Sequence, residues 1–384
     1  MKILIAISDS FCTNFIRGQG KFLVEKGHEV IIISGPGEEI DRLEVDEPIK
    51  VIRVNFSREI SVWNDLKTLF TIIKIIHKEK PDIINAGNPK PGFIFALAKL
   101  FFFKTPLVFT LRGVRSDTLN GIKKQLVKAT EKITCLFADK IIAISPSLKE
   151  HAYSIGLFNN KDKCVVLGKG SSNGYDINYF SNNFEIRQRG NLLLQEFSIP
   201  SDSFKLLFVG RVTKDKGVQE LLDALKICWN TNVDIHLIIA GRIEKDDPLP
   251  DDYYKMIKNH SKIHFLGKQL DIRPVYSIGN ALVLYSYREG FGNVVIEASC
   301  FNLPTIVADI PGLRDTTEHF YSGLTVSPKN ANELAKAIMW LYNNKESAKE
   351  LGENGRERAV NFFGNHVIWS KQLELYEEIL NKNN

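Results

Sequence analysis

Residues 204–229 read FKLLFVGRVTKDKGVQELLDALKICW, and they decide the architecture of the chain. An apolar run ends at Val209, as a strand buried on both faces does, and a glycine-bounded turn follows over 210–217. From Val218 the apolar residues recur at helical spacing, at Val218, Leu221, Leu222 and Leu225. Strand, short turn and helix make half of a βαβ unit, and the pattern repeats downstream. Strands are predicted over 235–240, 263–266, 281–285 and 304–308, with a helix over 294–300. The residues beyond 330 are nearly all helical in pattern.

Upstream the same alternation appears. Strands are predicted over 2–7, 30–33, 82–85, 106–110, 140–145 and 164–167, with helices over 17–26, 64–80, 92–103, 119–137 and 147–155 between them. Right-handed crossovers make such sheets parallel and doubly wound, with ligands expected beyond the carboxyl ends of the strands. The stretch 168–183, GKGSSNGYDINYFSNN, breaks both periodicities and reads as a connection. The fold class is therefore α/β, with two Rossmann-like parallel-sheet domains and a cleft between them. The first domain is expected over 1–167, completed by a returning helix over 361–384. A connection spans 168–203 and the second domain 204–360. Along 361–380, Val367, Ile368, Leu373, Leu375, Tyr376 and Ile379 form an apolar face suited to packing on the first domain.

The 384 residues suit two cores, and the 44% hydrophobic, 25% charged composition is that of a globular protein. Five scattered cysteines without a C-x-x-C pair suggest neither a disulfide framework nor a zinc site, which fits a reducing cytoplasm. The apolar start at residues 3–7 is too short for a secretory segment. The stretch 92–111 is the one that invites a membrane span, but Lys99, Lys104 and Pro106 divide it into a helix and a buried strand. Net charge is +5, and residues 1–165 carry 25 Lys/Arg against 18 Asp/Glu. Residues 67–132 alone hold 13 basic and 4 acidic side chains. Such a patch suits an anionic bilayer, a phosphorylated acceptor or nucleic acid, or is a merely solvated face.

Arg211 and Lys216 bracket the turn after the strand that ends at Val209, so both can reach one spot above the sheet. Two cations there suit a diphosphate, Arg as a bidentate fork and Lys as a point charge. A second constellation is Glu289-Gly290-Phe291-Gly292-Asn293, followed at Glu297 by a carboxylate inside an apolar run. Gly290 and Gly292 let backbone N–H groups approach an anion at a helix start. Glu289 is placed for sugar hydroxyls, and a ribose diol is a natural partner for Glu297, whose carboxylate is costly to bury alone.

The set G-R-x4-K-G, E-G-F-G-x4-E and LPTIVA with Pro311-Gly312 resembles the C-terminal half of family 4 glycosyltransferases. Those are retaining, metal-independent enzymes of GT-B fold. The resemblance implies that Arg211 and Lys216 grip the donor diphosphate, that Glu289 faces the transferred sugar, and that Glu297 holds the ribose. Glu289, Arg211 and Lys216 are then the catalytic candidates, and Gly290, Phe291, Gly292 and Asn293 complete the donor site. No metal cofactor is expected. Many members carry T-x-H-G in the N-terminal half, whereas this chain has Thr110-Leu111-Arg112-Gly113. Arg112 cannot act as a base, but it can contact the acceptor through a sugar hydroxyl or a phosphate. The segment 170–176 resembles the family's N-G-V-D linker, with Tyr175 in place of a small aliphatic residue.

These features resemble those of enzymes that extend polyprenyl-diphosphate-linked glycans of bacterial surface polysaccharides such as O-antigen or capsule. The expected partners are therefore a nucleotide-sugar donor, UDP- rather than GDP-linked by family frequency, a lipid-linked or soluble glycan acceptor, and an anionic membrane surface on the cytoplasmic side. Phe101-Phe102-Phe103 and the lysines of 67–132 are the candidate contacts with that surface. A nucleotide-sugar 2-epimerase of the same architecture is the nearest alternative. The loop SDSFCTN after the first strand lacks G-x-G-x-x-G and speaks against a dinucleotide-dependent dehydrogenase. No nucleic-acid-binding motif accompanies the basic region.

Overall fold

The computed structural model describes residues 1–57, 61–101, 104–244 and 246–383. The chain divides into two compact units, Met1–Gly174 with Asn365–Asn384, and Tyr175–Gly364.

In the first unit the strands are β1 (Lys2–Ala6), β2 (Glu29–Ser34), β3 (Lys50–Arg53), β4 (Ile83–Ala86), β5 (Leu107–Leu111), β6 (Lys140–Ala143) and β7 (Cys164–Val166). They form one sheet in the order β3-β2-β1-β4-β5-β6-β7, and every pair is parallel. Alternation along β1 builds a core on each face. Ile3 and Ile5 point into a cluster with Phe22, Leu23 and the last helix, and Leu4 and Ala6 into one with Ile72, Ile76, Ile94 and Phe95. That last helix, Asn365–Asn383, contributes Ile368, Trp369, Leu375, Tyr376 and Ile379 to the first cluster. The stretch 92–111 resolves into the helix Pro89–Ala98 and strand β5. Among the described residues no helix is long and apolar enough to cross a membrane. All five cysteines are free and buried.

The second unit repeats the plan with β8 (Phe204–Val209), β9 (Ile235–Ala240), β10 (Ile263–Gly267), β11 (Ala281–Leu284), β12 (Thr305–Ala308) and β13 (Gly323–Val326). Their order is β10-β9-β8-β11-β12-β13, again wholly parallel. Strand order reverses between β1 and β4 in one unit and between β8 and β11 in the other, and such switch points are where open α/β sheets bind ligands.

Several elements lie outside the sequence reading. The edge strands β3 and β13 and the helices Glu38–Asp46 and Phe184–Glu196 are additional. The stretch 168–203 is accordingly not one connection. Helix Phe184–Glu196 packs on the helix Arg273–Ile278 within the second unit, with Gly190 so close that a Cβ would stand 2.3 Å from Ser277 Oγ.

Candidate active site

Two loops meet above the switch point of the second unit. Gly217 lies in the left-handed region at φ 65°. A Cβ there would fall 2.1 Å from the Tyr285 carbonyl oxygen, so only glycine lets the β8 turn approach the end of β11 this closely. The Tyr287 amide then donates to the Asp215 carbonyl at 2.8 Å. From below, Gly312 presses on the Glu289 and Gly290 carbonyls, where a Cβ would come within 2.4 Å and 2.9 Å. The glycines of G-R-x4-K-G and Pro-Gly are thus devices for packing two functional loops together.

Lys216 Nζ donates to Glu289 Oε1 at 2.5 Å, and Ser286 Oγ donates to the same oxygen at 2.9 Å. Oε2 of Glu289 receives no hydrogen bond from the described residues. Arg211 donates to Glu244 Oε2 at 2.9 Å and to Asp215 Oδ2 at 3.3 Å. Its hydrogen bond to Glu244 raises the guanidinium above its ordinary value, and the same contact lowers the Glu244 carboxyl. With the Arg211 side chain 44% exposed, solvent weakens these ion pairs, so the guanidinium can exchange carboxylates for a phosphate.

Glu297 stands on the short helix Asn293–Ser299 and accepts from Tyr276 Oη at 2.8 Å. Burial pushes its carboxyl up to about 6, against the lowering effect of the tyrosine. Asn293 is exposed, and its Oδ1 accepts from Tyr175 Oη at 2.7 Å. That gives the tyrosine of the 170–176 segment a definite partner. The Phe291 ring is buried and packs on Phe363 at 5.6 Å between centroids, so it stiffens the loop and offers a ligand only its backbone. Tyr276, Ser286 and Glu244 are additions that no motif signals.

In the first unit, Arg112 follows β5 at the β1/β4 switch point. Its Nε donates to the Gly87 carbonyl at 2.9 Å and Nη1 to the Ser172 carbonyl at 2.9 Å. Nη1 also bonds Ser172 Oγ, and Nη2 makes a long 3.4 Å contact with the Phe15 carbonyl. Burial lowers the group to about 10, so it stays charged at neutral pH. Below it runs a buried side-chain chain. Thr110 Oγ1 donates to Asn85 at 2.8 Å, and Asn85 Nδ2 donates to Tyr376 Oη at 2.6 Å. Gln372 also donates to that hydroxyl and accepts from Gln19 at 2.8 Å. The chain ties the last helix to the floor of the switch point, where a cavity of about 10 Å³ adjoins Arg112, at the lower limit for one water.

Residues 192–358 match the family Glycosyl transferases group 1, and residues 13–170 match Glycosyltransferase Family 4. The chain is 32% identical over 380 residues to the capsular polysaccharide biosynthesis glycosyltransferase CapM of Staphylococcus aureus, covering 99% of this chain and 97% of CapM. It is 26% identical to the N,N'-diacetylbacillosaminyl-diphospho-undecaprenol alpha-1,3-N-acetylgalactosaminyltransferase of Campylobacter jejuni, covering 94% of each. The crystal structure of HepE from Anabaena in complex with UDP superposes with a TM-score of 0.80 at 20% identity, over 98% of this chain and 100% of that one.

Proposed function

Since the chain belongs to the family 4 glycosyltransferases, of GT-B fold, we propose that it moves a hexose or N-acetylhexosamine from a UDP-sugar to a polyprenyl-diphosphate-linked glycan, with retention at the anomeric carbon, in surface-polysaccharide assembly. The observation that carries this reading is the meeting of Arg211, Lys216 and Glu289 on two loops of one switch point. Arg211 and Lys216 take up the charge that develops on the departing diphosphate, and Lys216 holds Glu289 so that its free oxygen can accept from the transferred sugar. Glu297 accepts from the ribose. Because the two cations supply the charge, transfer is expected to continue in EDTA. The donor lies on the second unit and the acceptor on the first.

A lipid-linked acceptor requires approach to a bilayer. The first unit offers exposed Trp63, Leu66 and Phe70 on the helix Val62–Glu79, together with exposed Lys67 and Lys74. Phe101 is exposed as well, while Phe102 and Phe103 lie outside the described residues. Apolar side chains beside lysines suit peripheral attachment to anionic lipid on the cytoplasmic side. The printed name of the Campylobacter relative, a diphospho-undecaprenol N-acetylgalactosaminyltransferase, supports the lipid-linked acceptor.

The test of the reaction is turnover with a panel of nucleotide sugars. Arg211→Ala and Lys216→Ala are each expected to lower it on the order of a hundredfold, the loss of a charge-assisted contact in the transition state, with melting temperature unchanged. Near-normal turnover in both variants would remove the diphosphate assignment.

A further inference from the structure

We propose that Arg112 is the residue that recognises a phosphoryl group of the acceptor, and so selects diphosphate-linked over neutral glycans. This rests on the lipid-diphosphate acceptor of the preceding reading and assigns that group a place in the first unit.

The contacts of Arg112 are backbone carbonyls of Gly87, Ser172 and Phe15 and the Ser172 hydroxyl, and its guanidinium lies over the Phe15 ring at 4.8 Å. No Asp or Glu among the described residues makes an ion pair with it. The titratable groups nearest in its field are Cys12 and Tyr376. Burial holds both in their neutral forms at pH 7. These oxygens solvate the guanidinium without neutralising its charge, so an arriving anion gains a full ion pair.

Geometry agrees. Three carbonyls from three different loops fix the guanidinium plane, so an anion meets a donor that needs no reordering. The 3.4 Å contact of Nη2 is the weakest, leaving that edge with donor capacity to spare. The backbone beside it is uncrowded, since a Cβ added at the neighbouring Gly113 would meet no atom within 4 Å. Ends of β1, β4 and β5 converge here, at the switch point of the sheet.

A purely structural strut is the competing account, and the two differ in what a substitution does. Arg112→His installs the residue that resembling enzymes carry, and Arg112→Gln keeps some hydrogen bonding without charge. Each is assayed with three acceptors bearing one glycan, on a short polyprenyl diphosphate, on the monophosphate, and on a neutral alkyl chain. Loss of one charge-assisted hydrogen bond should raise KM for the diphosphate acceptor about tenfold or more, with a smaller rise for the monophosphate. KM for the neutral glycoside and the melting temperature of Arg112→His should stay near wild type. Equal losses on all three acceptors, or no loss on any, would overturn the proposal in favour of a strut. If Arg112→Gln does not fold, the Arg112→His series decides alone. Wild-type protein that transfers no sugar to any of the three would instead defeat the preceding reading.

Discussion

The two units share one strand order about their switch points, yet they treat charge there in opposite ways. Above β8 and β11 the cations meet carboxylates, Lys216 with Glu289 and Arg211 with Glu244 and Asp215. Above β1 and β4 Arg112 meets carbonyls. Ion pairs can exchange partners at low cost and suit a site that grips and releases a diphosphate at each turnover. A carbonyl-clamped guanidinium keeps its place and suits standing recognition. Topology chooses where a ligand can sit, and the partners of the charged side chains choose what it can do there.

The largest effect expected from breaking this pairing of units is structural. Truncation after Gly364 removes Ile368, Trp369, Leu375, Tyr376 and Ile379 from the core of the first unit. At about 1.5–3 kcal/mol for each fully buried large side chain, the loss approaches or exceeds the whole margin of an ordinary domain. The first unit should lose its cooperative transition in calorimetry and become open to limited proteolysis. An equally stable truncation would show that the buried Gln19–Gln372–Tyr376 chain anchors nothing.

Glu297 sharpens the donor side. In the proposed role its carboxylate accepts from ribose hydroxyls, so nucleotide binding would favour the ionised form of a group raised to about 6. UDP affinity should therefore rise as pH climbs through 6 and fall about tenfold per unit below it, while Glu297→Gln stays flat. Folding stability runs the other way. A carboxyl whose folded value lies above its ordinary 4.5 contributes most when protonated, and about 2 kcal/mol is lost as pH rises from below 4.5 to above 6. A pH-independent UDP isotherm in the wild type would remove Glu297 from the ribose site.

The smallest effect concerns the exposed face of the first unit. Sedimentation with anionic vesicles at low salt should pull the protein down, and neutral vesicles should not. Replacing Lys67 or Lys74 with Glu should weaken the attachment about fivefold or more, given about 1 kcal/mol for each basic residue near anionic lipid. Trp63→Ala should weaken it as well. Indifference to lipid charge would turn the acceptor assignment toward a soluble glycan.

How far the sequence carries depends on how far apart the partners are. The two loops that bring Arg211, Lys216 and Glu289 together were legible because each motif lies within nine residues of chain, from 209 to 217 and from 289 to 297, at a strand-to-helix passage. Elements with little periodic apolar content were not. β3 has charged ends, Lys50 and Arg53, about two half-buried residues, and the helix Glu38–Asp46 buries only Ile40 and Leu43. The chain of Gln19, Asn85, Thr110, Gln372 and Tyr376 joins four elements far apart in sequence, so no local pattern announces it. Arg112 could be placed from T-x-R-G, but only the folded unit shows its clamp of carbonyls and that no Asp or Glu among the described residues pairs with it.

The division of labour between the two switch points is tested most directly by calorimetry of UDP binding to three variants. Arg211→Ala and Lys216→Ala should each weaken UDP about tenfold or more, as loss of a charge-assisted phosphate contact does, and Arg112→His should bind UDP as the wild type does. UDP affinity that survives both substitutions in the second unit and collapses with Arg112→His would contradict the account.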